Sequence, residues 1–420
     1  MKNREVFVKK IFICALILLC AVNVYAETFN IDKVIQIGLE NSYDITNQTY
    51  TLKKSKQSLY SSFLDILPSA NYSISQTKTS NSTTKSGNIS ISETIYSDDY
   101  RYFKITNGLS SLKKSKIDLE ITRKNLIYNI ISSYLNVLLQ EKLNDVSKMA
   151  LNIAKMNYDE TKTLRSYGKV SELDMQQAEI DLSRAQIDSL KSDYDYENSK
   201  MDLCFLLSID YDESYTFAEL DYVFTADPTF DLDIDKNLTV NSYKESMKQS
   251  KLNYVQNWLE FIPTLSFSVN KSLGWEKGGL FDFDAKSSPV QYTLALSYPL
   301  LNPLTNLPAN RTSHYSYKQT KLLYEHKKKE EQQDFVQAVK NFNQLQQSYE
   351  LAKKQENLSE MHFNLVNEKY RLGQASLTEL ENARQERFKS MSSRISQYYS
   401  LIMAHENIHL ITNDKLLNRY

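Results

Sequence analysis

Near its C-terminus the chain spells His405-Glu406-Asn407-Ile408-His409. Two histidines four residues apart share one face of a helix, and with a glutamate between them they can hold zinc and supply a general base. That chemistry needs a third ligand. The 11 residues that follow contain no His or Glu, and Asp414 is too near in sequence to be persuasive. The motif also stands near the end of a long helical stretch, without the α/β context that forms a pocket. No Gly-rich phosphate loop, Ser/His/Asp signature or Cys/His cluster accompanies it. The expectation is a protein with no catalytic residue, no metal and no cofactor, and not an enzyme. A zinc metallohydrolase is the last of the readings.

A second group of chemically capable residues sits at two glycines. Tyr167-Gly168-Lys169-Val170-Ser171 leads into Glu172-Leu173-Asp174, and Leu372-Gly373-Gln374-Ala375-Ser376 leads into Leu377-Thr378-Glu379. Each reads as a helix-ending glycine, a short turn, and a serine N-cap for the next helix. Gly168 with Ser171, and Gly373 with Ser376, therefore mark the tips of two helical hairpins. Asp174 and Glu379 in a first turn favour the helix dipole. In a threefold assembly, three Glu379 carboxylates near the axis would also concentrate cations in a narrow mouth and repel anions. The two roles are compatible.

These tips need long elements to carry them. The seven prolines and eight glycines leave no breaker between 109 and 167, between 169 and 227, between 309 and 372, or after 373. Such stretches read as helices. Within the first, Leu119, Leu126, Ile130, Val146, Met149, Ile153 and Met156 keep a spacing of threes and fours, the stripe of a helix lying along a partner. At about 1.5 Å per residue, 60 residues run roughly 90 Å, so the neighbours must be equally long, as in a coiled coil or helical barrel.

The chain also repeats itself. Leu64-Asp65-Ile66-Leu67-Pro68-Ser69-Ala70-Asn71-Tyr72-Ser73-Ile74 recurs as Leu259-Glu260-Phe261-Ile262-Pro263-Thr264-Leu265-Ser266-Phe267-Ser268-Val269. The tips align in the same order, with Gly168, Ser171, Asp174 and Ala178 opposite Gly373, Ser376, Glu379 and Ala383. After each proline the apolar period becomes two: Ala70, Tyr72 and Ile74 in one half, Leu265, Phe267 and Val269 in the other. Return strands follow at Ile89 and Ile91, and at Tyr292, Leu294 and Leu296. The alternate residues are small hydroxyls and amides, too small and polar for a second packed sheet. Alternation of this kind suits a transmembrane barrel, with Tyr72, Tyr96, Trp258, Phe267 and Tyr298 as interface aromatics. Four strands cannot close a barrel, and hydrocarbon does not tolerate open edges, so copies must share one; three would give 12 strands.

The remaining features set the compartment. Lys2, Arg4, Lys9 and Lys10 precede a 12-residue apolar core from Ile11 to Val22, and Val24-Tyr25-Ala26 offers a cleavage site, so 1–26 reads as a signal peptide. Its net +3 takes the chain from −1 to −4 on removal, which gives no support for nucleic-acid binding. Lipidation at Cys20 is disfavoured by Leu19 before it. Cys204 then stands alone and reads as a small buried thiol. No apolar run is long enough for a transmembrane helix. Residues 27–226 form the first repeat (helix, strand pair 68–97, hairpin with its tip near 168). Residues 227–420 form the second (helix, strand pair 263–300, hairpin with its tip near 373).

Signal peptide, duplicated strand pairs with long helices, and two Gly-x-x-Ser tips together resemble the outer-membrane efflux, or TolC-like, family. The tip sequences G-K-V-S-E-L-D-M-Q-Q-A and G-Q-A-S-L-T-E-L-E-N-A carry the resemblance most specifically. It implies a mainly α, internally duplicated protomer, trimeric, with a 12-strand membrane β-barrel on an α-helical barrel. It implies an exit duct of a tripartite efflux pump or type I secretion system in the outer membrane of a Gram-negative bacterium, extending into the periplasm. The implied partners are a periplasmic adaptor protein, an inner-membrane pump of RND or ABC type, and outer-membrane lipid. By position, Glu379 and Asn382 take the two places of the entrance ring, Asp174 is the first-repeat counterpart of Glu379, and Tyr370 matches a tyrosine that helps hold the closed state. The family's tip arginine is Ala375 here, and only one ring place is acidic, with Glu381 beside it as a substitute. The alternative is a periplasmic adaptor protein, which would carry one hairpin and more glycine. A purely structural coiled coil leaves the amphipathic strands unexplained.

Overall fold

The computed structural model describes residues 28–80, 83–96, 101–222, 224, 230–275, 283–284, 289–298, 300 and 302–418. The signal segment 1–26, with Cys20, lies outside the described residues, as does the side chain of Tyr96.

Seven helices dominate: α1 (Ile31–Asn41), α2 (Tyr43–Leu64), α3 (Arg101–Ser166), α4 (Glu172–Leu207), α5 (Leu238–Asn257), α6 (Asn302–Arg371) and α7 (Leu377–Thr412). The helix starts are written in the sequence. The side chains of Asn30, Ser42 and Asn237 accept the amide hydrogens of Lys33, Ile45 and Val240, satisfying donors that the first turn leaves open. Helices α3 and α6, of 66 and 70 residues, are each about 100 Å long at about 1.5 Å per residue.

One expectation is corrected. The helix after the first tip does not run to 227 but ends at Leu207, because Ser208 adopts the left-handed conformation at φ 55°. The amide hydrogens of Ser208 and Ile209 close on the carbonyls of Phe205 and Cys204, each at 3.0 Å, so a serine performs the helix-ending role usually given to glycine. The chain then turns back, and β4 (Thr216–Phe217) pairs in parallel with β1 (Thr28–Phe29).

That return closes the main core. Ile31, Val34 and Ile35 of α1 pack against Ile127, Ile130, Ile131 and Leu138 of α3, Leu203 and Leu207 of α4, and Tyr399 and Ile402 of α7. The Tyr134 hydroxyl lies 3.1 Å from the Phe29 carbonyl and 2.5 Å from that of Ala218, pinning the β1–β4 pair to α3. Cys204 is a buried free thiol, and burial pushes its ionisation up. The predicted stripe of α3 is buried at Leu126, Ile130 and Val146, but Met149 and Met156 remain exposed.

Strands β2 (Ser69–Lys78), β3 (Thr83–Tyr96), β5 (Thr264–Trp275) and β7 (Val290–Ser297) form one antiparallel sheet in the order β2-β3-β5-β7, with the short β6 (Phe283–Asp284) beside the end of β5. The register sets the two faces apart. Ala70, Ile91, Val269 and Tyr292 form one transverse row, and Asn71, Ser90, Asn270 and Gln291 form the next. Hydroxyls meet across the polar face, Ser69 with Ser92 at 2.6 Å and Ser75 with Ser86 at 2.8 Å. Lys78, Lys85, Glu93 and Lys271 fall on the apolar face, and the paired residues of the polar face carry no charge. Most of the apolar face is uncovered: Tyr72, Ile89, Ile91, Tyr292, Leu294 and Leu296 are exposed, while Leu273 at one end is buried.

The helices form a strip with the same kind of open edges. Towards the sheet the packing order is α2-α3-α5-α6, and towards the tips it is α4-α3-α7-α6. One side of the strip is therefore β2, α2 and α4, and the other is β7 and α6. Leu173, Ile180, Ile187, Tyr194 and Met201 of α4 are exposed at strict intervals of seven, and so are Leu351, Leu358 and Leu365 of α6 with Leu372 just past its end. Heptad seams of this kind take a partner helix. No described helix is long and apolar enough to cross a membrane.

Candidate functional site

The two tips have the same local construction. Gly168 and Gly373 sit at φ 71° and 73°, where a side chain would be strained. Around each, two hydrogen bonds close the last turn: Gly168 to Arg165 at 2.8 Å and Lys169 to Leu164 at 3.0 Å, then Gly373 to Tyr370 at 2.9 Å and Gln374 to Lys369 at 2.8 Å. This is the double closure expected of a helix-ending glycine. Ser171 and Ser376 begin the next helices. The Ser171 hydroxyl accepts the Asp174 amide at 3.2 Å, and one carboxylate oxygen of Asp174 accepts the Ser171 amide at 3.2 Å. Ser376 and Glu379 repeat this at 3.2 and 2.8 Å. Both acids thus complete reciprocal caps that satisfy otherwise open amides.

The predicted site residues separate by exposure. Glu379 and Asn382 are exposed on the outer turn of α7, and Asp174 and Tyr370 are half-buried. Burial is the main cause of a raised Tyr370 phenol, and the carboxylates of Glu160, Asp174 and Glu381 add to it while Arg384 opposes them. Glu381, the expected substitute in the ring, turns inward. It accepts from Arg384 of its own helix at 2.5 Å and from Asn157 of α3 at 2.8 Å. Sequence reasoning missed Arg384 and Asn157. The i,i+3 spacing of Glu381 and Arg384 was visible, but nothing in the sequence places Asn157 beside them.

The histidine motif is a packing element. His405 and Glu406 are each 1% exposed. The rings of Tyr222, Phe224, Phe230 and Phe342 lie within 6.0 Å of the His405 ring, and His409 stacks edge-on at 4.5 Å. The Tyr222 hydroxyl donates to Glu406 at 2.6 Å and touches Nδ1 of His405. The other Glu406 oxygen accepts the Leu417 amide at 2.9 Å. With the phenol hydrogen committed to Glu406, His405 donates from Nδ1, and its bare Nε2 faces the cage without a partner among the described residues. Burial drives the imidazole down to about 4, and His409 adds to the effect. Both Glu406 oxygens are thus engaged, one by the Tyr222 hydroxyl and one by the Leu417 amide. Among the described residues no group of three His, Cys, Asp or Glu side chains could hold a metal ion.

The sequence matches no protein-family model and no curated protein. Solved structures match it over nearly its whole length. The CmeC outer membrane channel of Campylobacter jejuni superposes with a TM-score of 0.80 at 18% identity, covering 93% of this chain and 87% of that one. The outer membrane protein VceC of Vibrio cholerae gives 0.80 at 12%, covering 91% and 96%. This chain has the TolC-like outer-membrane channel fold. The open state of the MtrE outer membrane channel of Neisseria gonorrhoeae gives 0.76 at 17%, covering 92% and 90%. In the TolC-like fold the tips of this chain lie at one end of the helices and the exposed sheet at the other.

Proposed function

We propose that this chain is the outer-membrane exit duct of a tripartite efflux pump or type I secretion system, and that it acts as a passive conduit and not as an enzyme. One observation carries the reading: an amphipathic four-strand sheet with an uncovered apolar face, an uncharged hydroxyl and amide face, and two unpaired edges. Water penalises the first face and hydrocarbon penalises open edges, so lipid outside, a wet lumen inside and pairing between copies satisfy all three. The likeness to solved outer-membrane channels supports the same reading.

The two sides of the strip are unlike, so copies must join head to tail, with β7 and α6 of one against β2, α2 and α4 of the next. Such heterologous contacts close into a ring when the rotation permits. A trimer supplies 12 strands, enough for a barrel that no single chain completes. The helical barrel would cross the periplasm to a periplasmic adaptor and an RND or ABC pump, which supply cargo and energy. The tips around Gly168 and Gly373 form the gate. Glu379 provides a ring of three carboxylates, Asn382 a neutral second ring, and Asp174 and Tyr370 support the closed hairpins. Residues 1–26 direct export, and the halves 27–226 and 227–420 are repeats of one unit.

The test is electrical. The detergent-purified protein, recovered from outer membranes, should conduct in planar bilayers, and multivalent cations should block it from the tip side. Glu379→Ala should weaken that block. An unchanged block removes Glu379 from the gate, and a water-soluble monomer without conductance overturns the channel.

A further inference from the structure

We infer that Lys271, Lys85 and Lys78 form a basic collar on the lipid side of the proposed barrel, at the end away from the helices, and that the collar holds phosphate-bearing lipid headgroups of the outer leaflet. The inference rests on the barrel reading above and names the lipid that the reading leaves unspecified.

The strand register places all three lysines on the apolar face. Leu265, paired with Leu296, opens that face at the helix end. Lys271 pairs with Ile89 beyond its middle, Lys85 pairs with Gln76 two rows further out, and Lys78 ends β2 one row beyond that. The acid among the paired residues of this face is Glu93, which lies opposite Phe267 near the helix end. It stands about 13 Å along β5 from the Lys271 position, outside ion-pair range. The face is therefore polarised, with its carboxylate near the helices and its ammonium groups towards the loops.

The depth of each lysine follows from the strand. Leu265 to Trp275 is ten residues of β5. At about 3.3 Å per residue and a tilt near 40°, they rise about 25 Å, the height of the apolar band of an outer-membrane barrel. Lys85 then stands level with the upper edge of the band and Lys78 above it. Lys271 starts about 10 Å below the edge, and its four-carbon stem runs along the apolar surface towards it. A charge on the lipid face is costly at the midplane and cheap at the edge, so all three ammonium groups gather at the edge.

An anion that meets them there also meets hydrocarbon-loving surface. Beside Lys271 in the register, Ile89, Tyr72 and Val290 are exposed. A phosphate tethered to acyl chains satisfies both, with its charge on the lysines and its chains on these side chains. A soluble anion gains only the first. Lysine suits the role because its three donors meet phosphate oxygens from any direction, as a fluid lipid requires.

The probe is phosphatidic acid, with phosphatidylcholine of the same acyl chains as the neutral comparison and inorganic phosphate as the untethered anion. The protein, purified in a nonionic detergent, would be titrated with each lipid, and the lipid retained after washing would be counted by mass spectrometry. Phosphatidic acid should be retained in preference to phosphatidylcholine, and millimolar inorganic phosphate should not displace it. Its apparent affinity should fall about fivefold for each lysine changed to glutamine and about a hundredfold for Lys78→Gln, Lys85→Gln and Lys271→Gln together, the equivalent of ~1 kcal/mol per basic residue at an anionic surface. Changing Lys353, Lys354 and Lys389, which are exposed on α6 and α7, removes the same charge from the helices and should leave the affinity unchanged. Equal losses in the two triple variants, equal retention of the two lipids, or displacement by inorganic phosphate overturns the collar, while conductance in planar bilayers keeps the channel standing. A wild type that never conducts overturns the barrel reading and the collar with it. Should the triple variant fail to fold, Lys78→Gln alone, at the exposed end of β2, decides.

Discussion

His405 permits a test in which pH alone separates a packing histidine from a metal-binding one. Its imidazole is held near 4 against an ordinary 6.5, because the aromatic cage excludes the water that would stabilise a cation. Above about 6.5 the folded and unfolded chains both keep it neutral, and the cage contributes in full. As pH falls below that value the unfolded chain takes up a proton that the folded chain refuses, so stability declines. The decline is complete below about 4. At roughly 1.4 kcal/mol per pH unit, the window costs about 3 kcal/mol. Other groups also titrate over this range, so the comparison must be with a variant lacking only the imidazole. His405→Phe keeps a ring in the cage and leaves the Tyr222 hydroxyl on Glu406. Urea unfolding in detergent, followed by helical circular dichroism at pH 7.5 and 4.5, should show the wild type losing about 2–3 kcal/mol more than the variant. Equal losses would refute the buried neutral imidazole. A zinc-dependent rise in wild-type stability would refute the packing role itself.

Three further outcomes follow from local geometry. Tyr134→Phe removes the donor shared by the Phe29 and Ala218 carbonyls and should cost about 1–3 kcal/mol in unfolding by denaturant. Ser208→Gly relieves a left-handed serine and should stabilise by up to about 1 kcal/mol, whereas Ser208→Val should destabilise; a thermal melt distinguishes them. Ile187→Glu places a charge in the middle of the exposed α4 seam, 66% exposed in the single chain, and should leave each chain helical while abolishing the proposed trimer in light scattering. An unchanged trimer would show that α4 does not face the neighbouring copy.

The legible parts of this fold were those that local chemistry dictates. Gly168 and Gly373 end helices because only glycine takes their φ cheaply, and Ser171 and Ser376 start helices because a hydroxyl satisfies an open amide, so both tips could be placed to the residue. The period-two runs after Pro68 and Pro263 likewise named their strands. The end of α4 was not legible, because a serine there adopts a conformation that its residue type disfavours and tertiary packing of β4 on β1 supports. Arg384 was not singled out from the sequence, where only its i,i+3 spacing from Glu381 is visible. Asn157 is 224 residues away from Glu381, and no spacing rule reaches that far. The histidine motif misleads for a related reason: its pattern is local, but its meaning lies in Tyr222, Phe230 and Phe342, which arrive from other elements.

The architecture leaves the tips less firmly held than the rest of the long helices. Helices α3 and α6 each run without interruption from just after a strand to a tip, 66 and 70 residues. At one end they are tied to a hydrogen-bonded sheet; midway α3 passes the large apolar core built on α1, and α6 packs Ala338 and Phe342 into a second, smaller cluster with Leu401, Ala404 and Ile408 of α7. Beyond Val146 that core ends, and Met149 and Met156 of α3 are exposed. A rod clamped at two points moves most at its free end, so small rotations in the clamped part become the largest displacements at Gly168 and Gly373.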